Sequence, residues 1–278
     1  MIRTRMQSLV IAMALLGVAL SPVYTTTAAE IGSDNRQRPG AILIDAAKGI
    51  EWVRTARLVI ARGDARAKRD DQEVRAEVLT AHYRERPDGS IDVWRIDADG
   101  KVRYTSASES AFGERATYDV DKQVMTISGG EQVGVTASTS RITAQKELEY
   151  NTKTRTLIAR GNAVAVDGDR TVYGEVISVR LREQVEKGQS RLQQLEAEGN
   201  VRVITPEEDI RADRGTYNVE SGVATLDGSV KIVKGTNELY GCRGETNLET
   251  GVSSITACPG QSDGRVRGII LPESLKNQ

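Results

Sequence analysis

The chain contains few cysteine and histidine side chains, the types most often found in reactive or metal-binding sites. Cys242 and Cys258 are the two cysteines of 278 residues, and a turn-like segment, "NLETG" (247–251), lies between them. A disulfide across a loop of this size contributes about 3 kcal/mol by loop-closure arithmetic. Because the chain lacks a C-x-x-C motif, the spacing predicts a structural disulfide rather than redox catalysis.

Catalytic and metal-binding patterns are missing from the rest of the sequence. His82 is the only histidine, so neither a histidine metal site nor a Ser-His-Asp triad is expected. Acidic residues cluster in turn-like runs such as "DGD" (167–169) and "EED" (207–209), without the spacing of a calcium loop. Two of them could form a glycosidase-like pair, but nothing singles out a pair. We therefore predict no catalytic residues, no cofactor and no metal.

The N-terminus has the pattern of an export signal. Arg3 and Arg5 precede the apolar run "LVIAMALLGVAL" (9–20), and Thr27-Ala28-Ala29 follows as a cleavage site. This order predicts a signal peptide over 1–29 and a linker over 30–40, with an uncleaved anchor as the alternative. The predicted location is therefore the periplasm or the exterior. A formal net charge of −1 gives no indication of nucleic-acid binding.

Hydrophobic residues alternate along the chain with the period of a β-strand. The chain is 38% hydrophobic and only 4% aromatic, which predicts a core of Val, Ala, Ile and Leu. No sustained helical periodicity competes with this pattern, so we predict an all-β protein of antiparallel strands with one buried face. The clearest example is the shared face of Leu195, Ala197, Val201 and Val203.

Internal repeats divide the sequence. "ARGDARA" (61–67) aligns with "ARGNAVA" (159–165), and "RATYDVDKQVMTISG" (115–129) aligns with "RGTYNVESGVATLDG" (214–228). A glycine inside each strand phrase predicts a bend or bulge at a sheet corner. The predicted organisation of residues 41–258 is repeat 42–130, repeat 142–235 and a partial third copy 236–258, followed by a tail over 259–278.

Two architectures are compatible with stacked repeats of short strands. One is an elongated antiparallel jelly roll, and the other is a parallel β-helix. The hairpin turns favour the antiparallel arrangement. The pattern leaves open whether the interior is a filled core or an apolar trough. It also leaves open whether the terminal strand edges are capped or free to pair with another chain.

An ordered series of motifs in 197–255 carries a family resemblance. The series is G-N-V-x-V, then A-D-x-[AG]-x-Y-[DN], then G-x-[AV]-x-L-x-G-x-V-x-I, and much of it recurs in the first copy. It resembles the OstA-like (LptA) family of periplasmic lipopolysaccharide-transport proteins. The resemblance implies an open-ended antiparallel jelly roll whose apolar groove holds acyl chains while the sugars remain outside.

The resemblance also implies partners and contact residues. Family members join end to end by edge-strand pairing, and they join related jelly rolls in the inner-membrane export complex and the outer-membrane translocon. Alternatives from other classes are a hydrolase or lyase acting on envelope polysaccharide, and a structural envelope filament. The residues predicted to contact acyl chains are Val102, Ala163, Ala165, Val201, Val203, Leu226, Val230 and Ile232.

Overall fold

The computed structural model describes residues 42–184, 189–247, 250, 252–258 and 265–271. The predicted signal peptide and linker lie outside these residues, as does most of the predicted tail. Within the described residues, no helix is long and apolar enough to cross a membrane. The strands are β1 Leu43–Asp45, β2 Gly49–Val53, β3 Leu58–Arg69, β4 Gln72–Glu85, β5 Ile91–Thr105, β6 Glu109–Asp119, β7 Val124–Ser128, β8 Val133–Ala137, β9 Ser140–Ala144, β10 Glu147–Asn151, β11 Thr156–Asp167, β12 Arg170–Gln184, β13 Gln189–Ile204, β14 Asp209–Asn218, β15 Val223–Lys234, β16 Asn237–Asn247, β17 Val252–Thr256 and β18 Arg267–Ile269.

The long strands run through two sheets that face each other. The first half of β11 pairs with β10 and its second half pairs with β9. In the same way, β3 pairs with β2 through its first half and with β1 through its second. We call the sheet that contains β2, β7, β10 and β17 the first sheet, and the sheet that contains β1, β8, β9 and β18 the second sheet.

The paired strands of the described chain are antiparallel throughout. Consecutive long strands from β3 to β6 and from β11 to β16 form hairpins with their neighbours in both sheets. This arrangement confirms the predicted antiparallel jelly roll and excludes the parallel β-helix, whose coils would pair in parallel. The division of the chain into repeated units stays a prediction.

Glycine-centred bulges turn the long strands from one sheet into the other. The strand register shifts at each of these points, where a glycine with φ between 73° and 88° precedes a second residue with positive φ. Two successive left-handed residues bend the strand sharply, and glycine adopts the first at no steric cost. The four pairs are Gly63-Asp64, Gly100-Lys101, Gly161-Asn162 and Gly199-Asn200.

Close packing at the corners also leaves no room for a side chain at the glycine. A Cβ on Gly161 would lie 2.6 Å from Cγ of Lys146 and 3.0 Å from its backbone nitrogen. Gly63 meets Lys48 in the same way, with its Cβ position 2.6 Å from Cγ of Lys48. The glycine in each recurring strand segment thus allows the strand to bend and also lets the neighbouring chain segment pack closely against it.

Apolar side chains form continuous ladders along the inner faces of both sheets. Cross-strand register places each member directly opposite the next, which is the unit of sheet stabilisation. In the first sheet the ladder is Ala61, Leu79, Ala98, Ala116, Ile127, Leu148, Ala159, Ile177 and Ala197. In the second sheet it is Ile44, Ala67, Val74, Tyr104, Ala111, Val135, Ile142 and Ala165.

The two cysteines form a disulfide at the C-terminal end of the sheets. The Cα atoms of Cys242 and Cys258 are 4.8 Å apart. Cys242 lies within β16, and Cys258 follows the edge strand β17. The predicted structural disulfide is therefore present, and it holds the last strand of the first sheet against its neighbour.

Candidate functional site

An apolar cleft opens between the two sheets near the N-terminal end. Its volume, including the space open to solvent, is about 710 Å³. The first sheet contributes Leu79, Ile96, Ala98, Ala116, Thr117, Tyr118, Met125 and Ile127 to its lining, and the segment from Ile42 and the second sheet contribute Ile42, Ala67, Lys68, Arg69, Gln72, Val74, Val102 and Tyr104.

Small side chains produce the space. Ala61, Ala98 and Ala116 are members of one ladder on the first sheet, and Ala67 lies on the opposite sheet. Alanine keeps a sheet face apolar but leaves the depth of a larger side chain empty. Val102, only 2% exposed, packs with this alanine cluster beside the corner. Small side chains on both sheets thus contribute to the space in the cleft.

Cations lie at the entrance beside β3. Ala65, Ala67 and Arg69 alternate along β3, which places Arg69 on the inner face at the rim of the second sheet. Lys68 is exposed, and Gln72 follows across the hairpin turn. Arg69 lies 4.0 Å from its neighbour Asp70, measured from Nε to Oδ2. The apolar interior is therefore bordered by a polar rim that carries Lys68 and Arg69 together with the exposed carboxylates of Asp70 and Asp71.

Bulky side chains close the interior beyond the cleft. Met125 pairs with Tyr118 on one side and with Tyr150 on the other. Tyr150 lies on the first sheet, and the charge of Glu109, on the second sheet, acts on its hydroxyl. The two sheets approach each other here, where β10 of the first sheet contacts β8 and β9 of the second. The central core is filled by buried residues that extend from Tyr104 to Val201.

The predicted acyl-contact residues all lie on the inner faces, but they do not form one site. Val102 lines the open cleft. Ala163 and Val201 belong to the filled central core, and Ala165 and Val203 pack against it. A separate cluster toward the C-terminal end contains Leu226, Val230 and Ile232.

Most of the cleft lining was not among the predicted contacts. The missed residues Ala67, Val74 and Ala116 follow the same strand alternation as the predicted ones. The alternation signal could have found them, but the prediction was drawn mainly from the second copy, where the motifs are clearest.

Both ends of the sheets expose apolar side chains on edge strands. Among the described strands, β1 and β2 pair with β3 only, and β17 and β18 pair with β16 only. Trp52 on β2 is 58% exposed and Val252 on β17 is 66% exposed. The other large exposed apolar residues at the two ends are Leu43, Ile50, Leu239, Val266, Ile269, Ile270 and Leu271.

Comparison with protein-family models finds a match in the C-terminal part of the chain. Residues 141–252 match the sequence model described as LptA/(LptD N-terminal domain) LPS transport protein. Over these residues the chain is similar to the OstA-like family. The resemblance predicted from the ordered motifs is thereby confirmed. The OstA-like match runs from β9 to the start of β17, and the open cleft lies in the preceding strands.

A solved structure also resembles the chain. It is the crystal structure of LptH, the LptA homologous periplasmic component of the conserved lipopolysaccharide transport device from Pseudomonas aeruginosa. The two chains are 16% identical, and the alignment covers 48% of this chain and 95% of LptH with a TM-score of 0.40. No curated protein sequence matches the chain.

A network of polar side chains joins β4, β5 and β6. His82 Nε2 is 2.8 Å from Asp97 Oδ2, and Thr117 donates to the same carboxylate at 2.8 Å. Partial burial acts to raise the pKa of Asp97, but hydrogen bonds from Arg95 and Thr117 outweigh it and lower the pKa. Across the described residues, no group of three or more His, Cys, Asp or Glu side chains is arranged to hold a metal ion.

Because two tyrosines are buried, we expect the free energy of unfolding to fall at high pH. Burial raises the pKa of Tyr104 to about 12, and burial together with the charge of Glu109 raises that of Tyr150 to about 12, from an ordinary value of 10.0. Because the folded state holds these protons more tightly, their contribution is complete below pH 10 and is lost between pH 10 and about 12. Each contributes up to about 2 kcal/mol. Thermal unfolding across this pH range should show the loss.

The Tyr104→Phe variant tests the origin of that loss. It removes one phenol from the titration while keeping the ring, so its stability should fall less steeply with pH than that of the wild type. An unchanged pH dependence in this variant would contradict the assignment to Tyr104.

Proposed function

We propose that this protein is a periplasmic lipopolysaccharide-transport component that bridges the inner and outer membranes. It holds acyl chains in the apolar interior between its sheets and joins its partners through its terminal strands. The family assignment of residues 141–252 carries the proposal. The apolar cleft in the preceding strands also supports the proposal, because an acyl chain inside this cleft would avoid water.

The energetics suit a conduit better than a tight carrier. Moving an acyl chain from water into an apolar site contributes about 0.8 kcal/mol per methylene. The chain arrives from a membrane or from another groove, however, so this contribution nearly cancels between stages. Direction must then come from a partner that consumes energy. The sugar portion remains outside the cleft, where the outer faces carry charged side chains such as Arg75 and Arg202.

The terminal strands are the proposed joints. An edge strand offers unpaired backbone groups, and another strand can satisfy them by extending the sheet. Exposed Trp52 at one end would become buried in such a junction, and exposed Val252 at the other would gain a cross-strand neighbour on the outer face. The proposed partners are related jelly rolls of the inner-membrane export complex and of the outer-membrane translocon, together with further copies of this chain.

Two features support the periplasmic location. The predicted signal peptide over 1–29 would direct export. The disulfide between Cys242 and Cys258 suits an oxidising compartment, where such bonds persist.

Site-specific photo-crosslinking tests the proposed lipid path. A photoreactive residue at half-buried Val74 or Val203, on the inner faces, should capture lipopolysaccharide. The matched neighbours Arg75 and Arg202 face outward and should capture little. Delipidated sugar should not compete, because the acyl chains carry the binding. Capture only at the outward positions would contradict the proposal, and turnover of an envelope polysaccharide would favour the enzyme alternative instead.

A further inference from the structure

We propose that Tyr118, Met125 and Tyr104 form an end wall that sets the length of acyl chain accepted by the N-terminal cleft. The head group of the bound amphiphile would lie at the opposite end, beside Lys68 and Arg69. This inference rests on the proposed function, because it assumes that the cleft takes an acyl chain.

The wall follows from the cross-strand register of the first sheet. Ile96, Tyr118, Met125 and Tyr150 are successive partners along one row of its inner face. The two tyrosines and the methionine are longer than the alanines of the adjacent row. On the second sheet, Tyr104 follows Ala67 and Val74 in the corresponding ladder. Side-chain size therefore increases at β5 on the second sheet and at β6 on the first, one strand apart along the molecule, although Ala111 follows Tyr104 on the second sheet.

The interior behind the wall is closed. Leu148 and Tyr150 are 2% and 5% exposed, and both Val133 and Ala144, on the facing sheet, are 0% exposed. These residues belong to one packed core that begins at Tyr104. A chain that reaches Tyr118 cannot continue along the groove unless these side chains move.

The polar rim at the β3–β4 turn defines the other end. Lys68 and Arg69 lie on β3, and Tyr118 lies on β6, three strands further along the stack. At the usual spacing of neighbouring strands this separation is about 14 Å. An anionic head group at the rim would pair with Lys68 and Arg69 in competition with Asp70 and Asp71, while one medium-length chain runs toward the wall. The cleft would then take a single-chain anionic amphiphile end-on.

A chain-length series measures the wall directly. Alkyl phosphates of increasing length are titrated against the mature protein below their micelle concentrations, with native mass spectrometry as the readout. Affinity should rise about fourfold per methylene until the chain reaches the wall, and then level off. Tyr118→Ala should move this plateau to chains at least two methylenes longer. Tyr118→Phe keeps the ring and should leave the plateau unchanged.

A second variant keeps the test valid if Tyr118→Ala does not fold. Ala116→Leu adds bulk at a half-buried lining position and should move the plateau to shorter chains. An identical plateau in every folded variant would overturn the wall. If alkyl phosphates do not bind while Val203 still captures lipopolysaccharide, this inference fails and the proposed function stands. If neither binds, both fail.

Discussion

Replacing Gly161 with alanine should lower the free energy of unfolding by about 3 kcal/mol. Two costs combine in this estimate: the left-handed backbone at φ +88° is strained for a residue with a side chain, and the new Cβ collides with Lys146. The collision includes the Lys146 backbone nitrogen at 3.0 Å, which cannot move without disturbing the neighbouring strand. Chemical denaturation of the mature protein, monitored by circular dichroism, measures the loss.

Gly168→Ala is the matched control for that prediction. Gly168 also has a positive φ, of 58°, but a Cβ there would meet no atom within 4 Å. Backbone strain alone should cost about 1 kcal/mol. Equal losses in the two variants would show that the corner is not close-packed and that glycine is required there only for its backbone conformation.

Much of the fold could be predicted because the relevant physics is local. Alternation fixes which side chains share a sheet face, so Ala197 and Val201 were placed correctly on the inner side of β13. A glycine inside a strand phrase indicates a bend, and Gly161 and Gly199 do lie at the corners. The disulfide followed from the position of Cys242 and Cys258 on either side of a turn.

The open cleft could not be predicted, because it depends on packing between two sheets. Val102 and Val201 occupy equivalent places in the sequence motifs, and both are 2% exposed. Val102 nevertheless lines an open space, whereas Val201 belongs to the filled central core. The difference comes from the sizes of side chains that are distant in sequence, such as Ala67 and Ala116 near Val102. Alternation within a strand contains no information about which residues will face each other across the sheets.

A lysine at Ile50 or at Val252 should abolish end-to-end association without loss of stability. Both side chains are at least half exposed on edge strands, so the isolated fold tolerates a charge there. Ile50 lies on the inner face opposite Ala61, where the charge would be buried in a strand-paired junction without a partner; this costs about 3 kcal/mol or more and weakens association at least a hundredfold. Val252 lies on the outer face opposite Asn247, where an edge-strand lysine disfavours pairing with another strand. Sedimentation velocity over a range of concentrations measures the effect, and thermal unfolding checks the fold.

Tyr173→Lys controls for a general effect of surface charge. Tyr173 is 37% exposed on β12, away from both ends, so this variant should associate like the wild type. Unchanged association in the edge variants, or equal weakening in the control, would contradict the assignment of the joints.

Mixing the two edge variants then distinguishes the geometry of the joint. If the N-terminal end of one copy pairs with the C-terminal end of the next, each variant keeps one functional end, and a mixture forms dimers that cannot extend. If like ends pair, each variant alone still forms symmetric dimers through its unmodified end. A head-to-tail joint repeats one heterologous contact, so every copy in an extended bridge would have the same polarity, whereas alternating like-end joints would reverse the polarity from copy to copy.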